Sequence, residues 1–205
     1  MKKRGDIIVI SGPSGVGKST IVNAVREQMP ELEFSISCTT RPKRPGEEHG
    51  REYYFLSHEE FEARSAAGCF VEEAKVFANR YGTLKSEVLE KARLGRRVVL
   101  DIDVQGAKQI RLAAEKDEEL AASLIFIMIV PPSLAELEKR LRGRQSDSEE
   151  QISLRLAAAA GELQDFRVYD YLVVNDELAS AVESFTAILK ASLNRTSIIE
   201  GDIFS

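Results

Sequence analysis

The chain has 205 residues, a formal net charge of −5, 43% hydrophobic and 30% charged residues. That length and balance suit one globular domain with an ample core and room for an inserted subdomain. They exclude a global basic field for nucleic acid, a disulfide framework (only Cys38 and Cys69 are present) and a transmembrane helix, since the longest apolar run is Leu124–Val130. Met1-Lys2-Lys3-Arg4 is basic, but the strand after it is too short for a signal-peptide core. The expectation is a cytoplasmic protein, with no nucleic-acid or membrane partner, acting as a monomer or homo-oligomer.

The apolar run Ile7-Ile8-Val9-Ile10 predicts a buried strand. Gly12-Pro13-Ser14-Gly15-Val16-Gly17-Lys18-Ser19 follows, then a segment with Ile21, Val22, Val25 and Met29 at helical spacing. Strand, Gly-x4-Gly-Lys-Ser and helix in register describe a phosphate-binding loop. Glycines let backbone N–H groups turn inwards round an oligophosphate, and the helix N-terminus adds positive potential. Lys18 reaches the β- and γ-phosphates in such a loop, and Ser19 ligates Mg²⁺. A bare glycine-rich turn is the alternative, and it explains neither the lysine nor the serine.

Pro30 ends the first helix. Phe34 and Ile36 predict a short half-buried strand, Thr39 to Glu47 a proline loop, and Tyr53-Tyr54-Phe55 a strand. Ser57 with Glu60 is a capping box for a short helix to Arg64. Phe70 to Phe77 predicts a strand, and Lys85 to Leu94 a helix stopped by Gly95. A second core strand, Val98-Val99-Leu100, ends at Asp101-Ile102-Asp103 and leads to a helix over Gly106 to Leu112. The third is Leu124 to Val130, closed by Pro131-Pro132. Ser133 and Glu136 box a helix to about Arg142, and Gly143 to Ser146 is a loop. Asp147 or Ser146 caps a long helix with an apolar stripe of Ile152, Leu156, Ala159, Leu163 and Phe166. Tyr171 to Val174 is the fourth core strand, and Leu178, Val182, Phe185 and Leu189 mark a last helix. The tail after about Asn194 is expected to be loosely held.

Buried strands alternating with helices imply an α/β fold: a parallel sheet with helices on both faces, interrupted over about 34–95 by a mixed insertion. Ligands bind beyond the strand C-termini of such sheets. Asp101 and Asp103 sit there, as Mg²⁺-positioning carboxylates or, for the bland alternative, as a cap for the Gly106 helix. Arg41 and Arg44 straddle the proline loop. Their guanidinium forks suit a second phosphate, although such a pair can equally be solvated charge. Glu72 competes with Glu73 for an inward role. Lys139, Arg140, Arg142 and Arg144, with Arg155 beyond, form either a transfer-stabilising patch on a mobile lid or a helix C-terminus favouring cations.

Together these motifs resemble guanylate kinases, from about Asp6 to Lys190. The carriers are Ser11 to Ser19, Thr39-Thr40-Arg41-Pro42-Lys43-Arg44-Pro45-Gly46-Glu47, Asn79-Arg80-Tyr81-Gly82-Thr83, Leu100-Asp101-Ile102-Asp103-Val104-Gln105-Gly106, Arg140-Leu141-Arg142-Gly143-Arg144 and Val173-Val174-Asn175-Asp176. The resemblance implies a P-loop NTPase core (5–33 and 96–195), a GMP-binding insertion (34–95), a lid (about 142–150) and a tail (196–205). It implies that ATP phosphorylates GMP to GDP with Mg²⁺, a step of purine nucleotide metabolism that recycles GMP. By the same resemblance Gly12, Pro13, Ser14, Gly15, Val16, Gly17, Lys18, Ser19 and Asn175 bind ATP. Arg41, Arg44, Tyr53 and Tyr81 hold the GMP phosphate. Ser37, Glu72 and Thr83 face guanine, with Asp103 nearby. Ser19 and Asp101 serve the metal, and Lys18, Arg41, Arg140, Arg144 and Arg155 act in transfer. Arg80, Gln145 and Thr83 depart from the family's commonest residues without removing a needed charge.

The acceptor is a phosphate monoester with a second pKa of about 6, so it needs charge cancellation rather than a general base. That fits the absence of a histidine in any catalytic context. Three rivals remain at this stage: a P-loop kinase for another small acceptor, a catalytically silent binding module of the same family, and a nucleotide switch, which lacks an Asn-Lys-x-Asp string here.

Overall fold

The computed structural model describes residues 2–76, 78–143 and 148–201. In chain order the elements are β1 (Lys2–Lys3), β2 (Ile7–Ser11), α1 (Lys18–Gln28), β3 (Glu33–Phe34), β4 (Cys38–Thr39), β5 (Tyr54–Phe55), α2 (His58–Ala66), β6 (Phe70–Val76) and β7 (Asn79–Leu84). A π-helical turn over Ser86–Glu90 runs into α3 (Lys91–Arg93). Then come β8 (Val98–Asp101), α4 (Val104–Ala114), α5 (Glu118–Ser123), β9 (Leu124–Val130), α6 (Leu134–Arg142), α7 (Glu149–Gln164), β10 (Tyr171–Val174), α8 (Leu178–Ser192) and β11 (Ile199–Glu200). Among the described residues no helix is long and apolar enough to cross a membrane.

The main sheet has the order β10-β9-β2-β8-β3 and is parallel throughout. The inner strands β2, β8 and β9 carry apolar runs because both their faces are covered, whereas the edge strands β3 and β10 are partly exposed. Ile8 and Ile10 pack with Ile21, Val25, Phe185 and Leu189 of α1 and α8. Ile7 and Val9 point the other way, onto Ala107, Ile110 and Leu120 of α4 and α5. β2 is central, with β8 on one side and β9 on the other, so the chain reverses direction across the sheet at β2. The loop after β2 therefore opens at the switch point, where ligands of such sheets sit.

A second sheet, β5-β4-β7-β6, is mixed: β4 and β5 run parallel, and the other pairs are antiparallel. It has its own small core, in which Phe61 of α2 stacks on Phe70 at 4.5 Å beside buried Cys38. Helices α6 and α7 share a third cluster of Leu137, Leu141, Ile152 and Ala159.

Several expectations need correction. The strand expected around Phe34 and Ile36 is Glu33–Phe34, and it pairs with β8 as an edge of the main sheet. β7 and α5 were not foreseen. The stretch from Lys85 is a π-helical turn before it is α-helix. Helix α7 is capped by Ser148, whose hydroxyl accepts from the Gln151 N–H while the Gln151 side chain answers at the Ser148 N–H. Ser146 and Asp147, expected as caps, lie outside the described residues, as do Phe77 and Arg144. The stripe of α7 stops before Phe166, which is 40% exposed in a 3-10 turn after the helix. The tail is not loose over Thr196 to Glu200: Ile198 is buried and β11 pairs antiparallel with β1. Arg195 helps fix it, donating to buried Asp6, which Arg97 and Ser192 also reach.

Candidate active site

At the C-terminal end of β2 the chain makes the loop Gly12 to Ser19, which wraps a cavity of about 390 Å³ also lined by Thr20, Asp103 and Glu162. Gly15 and Gly17 have φ of 89° and 92°, a left-handed region that a side chain resists. Space is short as well. A Cβ on Gly15 would lie 2.7 Å from Leu141 Cδ2, and one on Gly17 would press on the Asn175 side-chain amide, so a neighbouring side chain would have to shift. Asn175, at the end of β10, is buried and donates its side-chain amide to the Val16 carbonyl at 2.7 Å. The Lys18 ammonium is held by Asp101 Oδ1 at 2.5 Å and the Ile102 carbonyl at 3.0 Å. Both partners lie at the end of β8, so the neighbouring strand carries the counter-charge for the loop's lysine.

Beyond β8 a second cavity of about 300 Å³ is lined by Ser37, Tyr53, Glu72, Tyr81, Asp101, Ile102 and Asp103, with Ala74 and Val76. Glu72 is 7% exposed. Its Oε1 accepts from the Thr83 hydroxyl at 2.7 Å, and burial, with Asp103 nearby, pushes its carboxyl above the usual glutamate range. The strand pairing explains why Glu72 rather than Glu73 turns in. Register shifts between Phe70 and Glu72, a bulge that re-aims the side chain, while Glu73 faces Ser65 and Arg80. The Asp103 Oδ1 also caps α4, accepting from the Gly106 N–H at 2.7 Å. The capping role and the cavity role thus coexist in one side chain.

Arg41 is not part of the lining but neighbours it, its guanidinium 5.4 Å from the Tyr53 ring centre. It donates to Glu47 Oε1 and the Pro42 carbonyl, both at 2.8 Å, and the Glu47 bond holds it firmly protonated. The Tyr53 and Tyr81 rings meet edge-on at 5.9 Å, and burial pushes the Tyr53 hydroxyl pKa up. Arg44 is exposed at the loop tip. Arg140 lines neither cavity. It donates to the Asn175 carbonyl at 2.9 Å and to Glu136 Oε1 at 3.2 Å, at the foot of β10. Arg155 is half-buried on α7 and also lies outside the two linings. The Cys38 thiol is pushed up to about 11 by burial and is no nucleophile at neutral pH.

Sequence reasoning missed two carboxylates. Glu47 was only a letter in the proline loop, yet it also accepts from the Arg44 backbone N–H at 2.8 Å and so shapes that loop. Glu162 lines the first cavity, and burial and Asp103 raise its pKa. Its signal was available: it lies seven residues after Arg155, two turns along the same face of α7. Hard oxygen donors from Ser19, Asp101 and Asp103 border the cavities, a donor type suited to Mg²⁺. Among the described residues no cluster of three or more His, Cys, Asp or Glu forms a metal cage.

Residues 4–192 match the family model described as guanylate kinase. The chain is 45% identical over 195 residues to a guanylate kinase of Symbiobacterium thermophilum, covering 95% of this chain and 89% of that one. It is 43% identical over 196 residues to a guanylate kinase of Geobacter sulfurreducens, covering 96% and 93%. Among solved structures it is similar to guanylate kinase from Anaplasma phagocytophilum, with a TM-score of 0.72 and 32% identity over 96% of this chain and 90% of that one.

Proposed function

The chain belongs to the guanylate kinase family and so phosphorylates GMP to GDP at the expense of ATP, and we propose that its two cavities are the two substrate sites of that reaction. The observation that carries this is Asp103, which lines both. The cavity at Gly12 to Ser19 takes the ATP phosphates, and the cavity at Glu72 takes GMP. They join at the ends of β2 and β8, where an acceptor oxygen can lie in line with the γ-phosphate.

Lys18 turns from Asp101 onto the β- and γ-phosphates, a move that exchanges one anionic partner for another. Arg41, Arg44, Tyr53 and Tyr81 receive the GMP phosphate. Glu72 accepts from guanine N1–H and the 2-amino group, with Ser37, Thr83 and Asp103 completing the base contacts. Adenine offers an acceptor at N1 and no 2-amino group, so it would leave the buried carboxylate unpaired. Asn175 serves ATP from beneath, by holding the loop that receives the phosphates. Arg140, Arg144 and Arg155 deliver charge to the transferring group as the lid (about 142–150) and the insertion (34–95) close over the core and exclude water.

Ser19 and Asp101 are the residues that would hold Mg²⁺. Two protein oxygens are what such an ion takes when phosphates and water fill its other positions. When bound, it would supply charge cancellation on the ATP phosphates. A panel of nucleoside monophosphates with ATP, followed by ADP release, tests the assignment. GMP should be turned over far faster than AMP or UMP. If either outran GMP, the reading of the Glu72 cavity would be wrong.

A further inference from the structure

Gln109 lies on α4 of the main domain, outside both cavities, yet it grips the acceptor sheet directly. Its Oε1 accepts from the Glu73 backbone N–H at 3.0 Å, and its Nε2 donates to the Glu73 carbonyl at 2.8 Å. β6 is the edge strand of its sheet, so the outward backbone groups of Glu73 have no neighbouring strand. The primary amide of Gln109 takes that strand's place, making the same donor–acceptor pair an added strand would make. The Glu73 side chain faces the other way, to Ser65 at 3.0 Å and Arg80 at 2.8 Å. Glu73 is thus fixed on two sides, and Glu72 is the next residue.

The same ridge of α4 also flanks Glu72 itself. Asp103, Gly106 and Gln109 follow at i, i+3 and i+6. A Cβ on Gly106 would stand 3.0 Å from Glu72 Oε2, so the first turn of α4 closely flanks the carboxylate. Thr83 holds the other oxygen at 2.7 Å. The register shift lies immediately before Glu72 and leaves Val71 without a partner on β7, so the ladder is interrupted on the N-terminal side of the Glu72–Thr83 pair. The Gln109 amide fixes the strand at Glu73 from outside the sheet.

We propose that Gln109 is a positioning residue for base selection. It clamps the β6 backbone at Glu73 so that the Glu72 carboxylate keeps the angle needed to accept two hydrogen bonds from guanine. The proposal rests on the reading of Glu72 as the guanine acceptor. It concerns which base is chosen and how tightly, not the transfer step.

The test is a kinetic cycle on the full chain with Gln109→Leu, Glu72→Gln and the double variant, using GMP and IMP as acceptors. IMP keeps N1–H but lacks the 2-amino group. Gln109→Leu should raise KM for GMP about tenfold, the effect of two lost neutral hydrogen bonds, and should reduce the preference for GMP over IMP. KM for ATP and kcat should stay within about twofold, and in the Glu72→Gln background Gln109→Leu should add less than about twofold. The proposal is overturned if Gln109→Leu raises KM for ATP as much as for GMP, slows GMP and IMP equally, or multiplies with Glu72→Gln. A Glu72→Gln variant with unchanged KM for GMP would instead refute the Glu72 assignment, and the proposal with it. Amide hydrogen exchange of the unaltered chain keeps the clamp falsifiable even if Gln109→Leu fails to fold: the Glu73 N–H should be protected, and a freely exchanging Glu73 amide overturns it.

Discussion

The Glu72 carboxyl is buried, and burial raises its pKa, so ionising it in the folded chain costs stability. A carboxyl whose pKa rises on folding binds its proton more tightly in the folded chain. The folded state is favoured below the ordinary glutamate range and loses that advantage as pH rises through the raised value. Glu72→Gln removes the charge and keeps the shape. It should raise the melting temperature at about pH 8 and leave a smaller gap at about pH 4, while KM for GMP increases. A variant that melts lower than the parent at the higher pH would show that Glu72 is stabilised by partners beyond Thr83. Gly106→Ala probes the same carboxylate from the helix side. The new methyl would stand 3.0 Å from Glu72 Oε2, so the carboxylate must give way. KM for GMP should rise about tenfold with KM for ATP unchanged, and equal loss for both substrates would mean that α4 itself has moved.

At the scale of elements, the phosphate loop is held from outside as well as by its own glycines. Asn175 spans from β10 to the Val16 carbonyl, and Lys18 is tethered to the end of β8. Asn175→Ala removes the side-chain hydrogen bond to that carbonyl and opens space beside Gly17. The predicted result is a rise of about tenfold in KM for ATP with KM for GMP nearly unchanged, measured by varying each substrate in turn. Lys18→Ala should abolish turnover with little change in melting temperature, because the lysine is replaceable in the fold but not in charge cancellation. The elements that hold the loop were legible because Ile7 to Ile10, Val98 to Leu100 and Leu124 to Val130 are unbroken apolar runs, as strands covered on both faces must be. β7 was not legible. Asn79-Arg80-Tyr81-Gly82-Thr83-Leu84 carries no apolar alternation, since one side of it faces a polar cavity and Gly82 sits against Phe61 and Phe70. The cap of α7 was misplaced by one or two residues because Ser146, Asp147 and Ser148 are all competent caps and each has a Glu or Gln three residues on, so the sequence does not choose between them. The Gln109 clamp left no trace in the sequence: a glutamine on a helix looks solvated until the sheet edge beside it is known.

In the whole molecule, the mixed sheet joins the parallel one through α4, against which β6 packs with Val71 in the main core, and Asp103 lines both cavities. The parallel core carries the Gly12 to Ser19 loop, the mixed sheet carries Glu72 and Tyr81, and Arg140 and Arg155 stand on α6 and α7, the helices that share a third cluster. Arg140 and Arg155 lie outside both linings, so the transfer role proposed for them requires these parts to approach. Linking the two substrates in one molecule tests this arrangement most directly, because a ligand that spans both cavities gains the effective concentration of each half. An adenosine–guanosine oligophosphate titrated calorimetrically should bind once per chain and far more tightly than ATP or GMP alone. Its affinity should fall both with Lys18→Ala and with Glu72→Gln. Binding no tighter than ATP, with no response to Glu72→Gln, would contradict the account of two joined substrate sites.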